Sequence, residues 1–172
     1  MRIQAARYAP LIAILVAAFW PPGLPAQTLV YEREFSLIAD ADNTLRITLT
    51  ADDRIVIERP KFMTRSGRHK ARAPAGSYAQ LAQKLNGIAP ITRSVEADIR
   101  RRAANERVHV SDPEFTRFMA LDDQRRVVDA VEATSIGAWN RVFEDDVRLA
   151  NLASLERDWM ELMKSAMAGG AE

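Results

Sequence analysis

TLRITLTADDRIVIERP, residues 44–60, is the stretch that decides the fold. Leu45, Ile47 and Leu49 alternate with Thr44, Arg46, Thr48 and Thr50, the period-two pattern of a half-buried strand. After Ala51-Asp52-Asp53 a second run places Ile55 and Ile57 on one face and Arg54, Val56 and Glu58 on the other. So short a separation predicts an antiparallel hairpin. Pro60 has no N–H to give a ladder, so the second strand ends near Arg59.

Working outward from that hairpin, Arg68, Lys70 and Arg72 alternate with His69, Ala71 and Ala73, which predicts a fourth strand with its cations on one face. Ser77-Tyr78-Ala79-Gln80 fits a capping box at the start of a helix whose stripe is Tyr78, Leu81, Ala82 and Leu85, with Asn86-Gly87 as its stop. The order of strand, acidic turn, strand ending in Arg59-Pro60, Phe62-Met63, Gly67, basic strand and helix resembles a family of small exported proteobacterial proteins of unknown function. The resemblance covers residues 44–86 and implies neither an activity nor functional residues.

Upstream, residues 29–38 read as the first strand, with Leu29, Tyr31, Arg33, Phe35 and Leu37 on one side. Asp40-Ala41-Asp42-Asn43 follows as a turn. It is not an EF-hand, because the required Gly and Glu positions hold Leu45 and Ala51. Further upstream, Arg2 and Arg7 precede a ten-residue apolar run from Leu11 to Trp20, then Pro21-Pro22-Gly23 and Ala26. That is the plan of a signal peptide over residues 1–26, and the run is half the length of a spanning helix. Residues 27–172 are then expected to form one exported α+β domain, periplasmic or secreted. With no Cys in the chain, its stability rests on packing.

Downstream, a second helix is expected to run to about Asn105 with the stripe Ile91, Val95, Ile99 and Ala103. Glu96/Arg100 and Asp98/Arg102 are spaced to pair along it. Phe115–Leu121 and Arg125–Ser135 read as a second hairpin; residues 125–135 also admit a helix capped by Asp122. Behind Asp145-Asp146, the residues Leu152, Leu155, Trp159, Leu162 and Ala166 mark a long helix that lies on the sheet and ends at Gly169-Gly170. Met160, Met163 and Met167 add a second apolar row, the basis of a reading as a homo-oligomer joined through this helix.

Chemistry is thinly represented. His69 and His109 are the two histidines, too few for a zinc site without other ligands. Nucleophile elbows and phosphate loops are missing, and the Asp doublets at 52–53, 122–123 and 145–146 sit at turns or helix starts. No cofactor is expected, and an enzyme would have to use scattered carboxylates with one of the histidines. Charge has more to say. From Arg59 to Val95 there are eight Lys or Arg and no acid; from Ser111 to Glu172 there are thirteen acids against seven bases. Arg59, Lys61, Arg65, Arg68, Lys70 and Arg72 fall within fourteen residues. They are the candidate binding residues of a non-enzymatic module for an anionic envelope component or an acidic protein surface, nucleic acid being excluded by export. The alternative is that the acidic C-terminal half folds over the basic segment and neutralises it.

Overall fold

The structure is a computed structural model that describes residues 27–39, 42–92, 94–111 and 114–169. The expected signal peptide over residues 1–26, half of the expected Asp40–Asn43 turn and Gly170 of the expected helix stop lie outside the described residues. Among the described residues six strands and four helices follow in the order β1 Thr28–Phe35, β2 Thr44–Thr50, β3 Arg54–Arg59, β4 Gly67–Arg72, α1 Ser77–Thr92, α2 Val95–Glu106, β5 Glu114–Leu121, β6 Val127–Thr134, α3 Ile136–Val142 and α4 Val147–Gly169. The class is α+β.

All six strands join one antiparallel sheet in the order β4-β3-β2-β1-β5-β6. The first four strands form an antiparallel meander, and the second hairpin attaches to the free edge of β1, with Tyr31 opposite Phe118 and Val30 opposite Met119. Residues 127–134 are strand, as their β-branched composition favours over the helical reading. Leu29, Tyr31, Leu45, Ile47, Leu49, Ile55, Ile57, Phe118 and Val131 share one sheet face and are buried under the helices. Of α4, Leu149, Leu152, Leu155, Trp159 and Leu162 meet that face together with Met163 and Met167. Two of the three methionines that suggested an oligomer contact are thus packed inside the molecule, and Met160 lies partly buried beside them.

Several local readings need correction. β1 ends at Phe35, not at residue 38, because the chain turns there with Ile38 N–H donating to Phe35 O at 3.0 Å. α1 runs through Asn86-Gly87 and even Pro90 to Thr92, since Ile88, Ala89 and Thr92 are buried and hold the last turns in place. Ile91 therefore lies on α1, exposed, while Val95, Ile99 and Ala103 form the buried stripe of α2. The Ser77 capping box does not form. Ser77 Oγ donates to Pro74 O at 2.7 Å, and the amides of Gly76 and Tyr78 instead donate to the Asp53 carboxylate at 2.7 and 2.8 Å. On α2, Arg100 meets Glu96 at 2.9 Å as expected, but Arg102 turns to Glu106 and Asp145, leaving Asp98 to Arg101 and Arg148. α3 was not legible at all.

Candidate functional site

Among the described residues no helix lies on the second face of the sheet, and its side chains follow from register alone. Across all six strands runs a row of alternating charge: Glu132, Arg117, Glu32, Arg46, Glu58 and Arg68, each directly opposite the next. Arg117 donates to Glu132 at 2.6 Å and to Glu32 at 3.3 Å; Arg46 Nε donates to Glu32 at 2.7 Å; Arg68 lies 3.6 Å from Glu58. Opposite charges facing across strands stabilise a sheet by about 0.2–1 kcal/mol per pair. Burial alone would weaken the Arg117 cation, but Glu132 and Glu32 outweigh it and hold its pKa above the ordinary value.

A neighbouring row is neutral over most of its length. Lys70 faces Val56, then come Thr48, Val30, Met119 and Ala130. Beyond it, Arg72 faces Arg54 on β3, and Thr50, Thr28 and Leu121 continue across β2, β1 and β5. A shallow trough of about 500 Å³ takes in the neutral part of these two rows, with Val30, Val56, Met119 and Leu121 along it and Glu32, Arg46, Glu58 and Arg68 of the ladder beside them. Arg54, Lys70 and Arg72 do not line it. A second hollow of about 450 Å³ lies at the other side of the charge ladder, lined by Glu34, Asp42, Thr44 and Phe115 besides ladder residues.

The six basic residues singled out in the sequence do not share one surface. Arg68, Lys70 and Arg72 project from the open face of the edge strand β4, where Arg54 joins them. Lys61 and Arg65 are exposed in the β3–β4 loop, and the Lys61 N–H donates to Asp42 at 3.0 Å. Arg59 has the opposite parity. It is half-buried on the helix side, with Nη1 3.7 Å from Met167 Sδ and a buried Nε that has no partner among the described residues. Arg54, which lies outside the acid-free segment that begins at Arg59, pairs with Asp52.

The acidic half does not cover this corner. Asp145 pairs with Arg102, Asp146 with Arg148, Asp158 with Lys84, Asp122 with Arg126 and Glu132 with Arg117. Among the described residues Lys61, Arg65, Lys70 and Arg72 have no carboxylate partner, and Arg68 has Glu58. The edge of the sheet therefore keeps its positive charge.

Two other groups bear on chemistry. Under α4, Tyr31 Oη donates to Glu156 at 3.0 Å, Arg33 lies 3.8 Å from Glu156, and Arg33 also contacts Glu114. Burial pushes the Glu156 carboxyl above its usual range, partly offset by Arg33, and burial likewise raises the Tyr31 phenol. This cluster was hidden in the sequence because its members lie 125 residues apart. His69 sits on the inward side of β4, as its parity predicts, and its Nε2 bonds the Arg65 carbonyl at 2.8 Å; His109 is exposed. Neither histidine meets a carboxylate among the described residues, nor do three His, Asp or Glu converge there as metal ligands. No described helix is long and apolar enough to cross a membrane.

In comparisons with family models, curated proteins and solved structures, the chain matches none.

Proposed function

We propose that this chain is a non-enzymatic binding module of the cell envelope. It recognises an anionic envelope component or an acidic protein surface through the corner formed by Arg54, Arg68, Lys70 and Arg72, with Lys61 and Arg65 on the adjoining loop. One observation carries the reading. Arg54 and Arg72 stand directly opposite each other on the open face, and Asp52 pairs with Arg54 alone, leaving Arg72 without a carboxylate among the described residues. Like charges in that position destabilise a sheet. Edge strands do carry cations to block pairing with other sheets. That purpose is served by β4 alone and does not call for a facing arginine on β3.

The test is crosslinking capture from envelope fractions, comparing wild type with a variant in which Arg54, Arg68, Lys70 and Arg72 are Gln. Capture by wild type should weaken as salt rises, because the screening length falls from about 8 Å at 0.15 M to about 3 Å at 1 M. It should be lost in the variant. Salt-independent capture, or equal capture by both proteins, overturns the reading.

A further inference from the structure

The three cross-strand rows on the open face are cationic at the same end, and two of them become neutral or apolar towards the other. Arg72 and Arg54 lead to Thr50, Thr28 and Leu121; Lys70 leads to Val56, Thr48, Val30 and Met119. The third row is internally neutralised by its alternating partners. A polyanion would use the basic corner and have no need of the track beside it. A ligand that uses both has a charged head and an apolar body.

From the juxtaposition of the Lys70–Arg72 edge with the Val56–Val30–Met119 track, we infer that the open face binds a single-chain amphiphile, an acyl chain bearing a phosphate or carboxylate head. The head lies against Lys70 and Arg72, beside Arg54 and its Asp52 partner, and the chain runs across β3, β2 and β1 towards β5. This deepens the proposed function and rests on it. The span from Lys70 to Met119 crosses four strand spacings, about 19 Å at about 4.8 Å each, the reach of a medium-length chain. The trough of about 500 Å³ takes in Val56, Thr48, Val30 and Met119, between the charge ladder and the Thr50–Thr28–Leu121 row. Lys70 and Arg72 do not line it, so the head sits outside the trough, next to Val56 in register. The trough is open along its length, so one side of a bound chain stays in water. Glu32 and Glu58 in its wall are opposed in register by Arg46, Arg117 and Arg68, which spares the head from bare carboxylates.

Calorimetric titration of the purified full chain with alkyl phosphates and alkyl carboxylates of eight, ten and twelve carbons, each below its micelle threshold, tests this. Affinity should rise by about twofold per added methylene, half the gain of complete burial, because only one side of the chain is covered. Val30→Thr/Val56→Thr keeps the side-chain shapes on a strand and should flatten that slope. Lys70→Gln/Arg72→Gln should weaken every member about tenfold and leave the slope intact. Melting curves check that both variants fold, and the apolar run at 11–20 is common to all proteins compared. The series that binds more tightly identifies the head, and the slope must appear in that series. A flat series that still depends on Lys70 and Arg72 overturns the amphiphile and spares the anionic partner. A slope unmoved by the valine changes places the chain elsewhere and also overturns it. Absence of binding in both series overturns it too, while envelope capture judges the wider reading separately.

Discussion

Asp53 performs two tasks that conflict in most residues. Its φ of 58° closes the β2–β3 turn in the left-handed region, where glycine is at ease and other residues are strained. Its carboxylate accepts two amides at the start of α1, and its carbonyl accepts from Ala73 at 2.8 Å. Asp53→Gly should relieve the strain and lose the cap, at a net cost below about 1 kcal/mol. Asp53→Ala loses the cap and keeps the strain, and should cost about 2 kcal/mol or more. Urea midpoints falling in the order wild type, Gly, Ala would bear this out; Ala above Gly would refute it. Glu156 makes the opposite kind of contribution. Its folded pKa is raised, chiefly by burial, so the folded state binds its proton more tightly than the unfolded chain does. That contribution is full below the ordinary carboxylate pKa and is lost as pH rises through the raised one. Glu156→Gln can still accept from Tyr31 and has no charge to bury. Relative to wild type, its stability should improve as pH rises from about 4 to about 7, a trend that denaturation at several pH values reads directly.

At the scale of elements, strands were legible and ends were not. Period-two runs such as Leu45–Ile47–Leu49 describe a face whatever lies beyond them, and the structure buries that face. Helix stops are different, because a glycine only permits an ending. α1 passes through Gly87 since the burial of Ile88, Ala89 and Thr92 outweighs local signals, including the hydrogen bond Pro90 cannot donate. Nor did the sequence reveal the cap of α1, because Ser77 advertises a local capping box while the carboxylate that binds the amides comes from a hairpin turn far upstream. The candidate surface was half legible. Alternation put Arg68, Lys70 and Arg72 together, but Arg59, grouped with them by charge, lies on the other side, and the facing arginine and the apolar track depend on pairings between strands that no spacing reveals. Gly87 offers a test of the tertiary account. A Cβ there meets no atom within 4 Å, and the backbone is helical. Gly87→Ala should therefore stabilise by about 0.5–1 kcal/mol and raise the melting temperature by about 2–4 °C. A fall in melting temperature would mean that the helix is strained at that point.

For the whole molecule, the decisive feature is the position of β1, the first strand among the described residues but an interior one in the sheet. It pairs with β2 on one side and β5 on the other, so the two hairpin systems share one strand and one helix layer. Charge follows the same plan. The chain is bipolar in sequence, yet Asp145, Asp146, Asp158 and Glu132 of the acidic half pair with Arg102, Arg148, Lys84 and Arg117 and leave the distant edge basic. Because Tyr31 on β1 stacks on Trp159 of α4 at 6.0 Å and packs on Phe118 of β5 at 5.5 Å, loosening either half exposes the core of the other. The β5–β6 hairpin should thus have no stability of its own, and unfolding should be a single cooperative event. In a Trp20→Phe variant, fluorescence reports Trp159 and Trp139, the latter stacked on Phe143 beside α4, while far-UV circular dichroism reports all strands and helices together. Coincident urea midpoints from the two probes are the expected result. A fluorescence transition well ahead of the circular dichroism would mean that the helix layer detaches first and that the sheet survives without it, against a core in which strand and helix residues form one cluster.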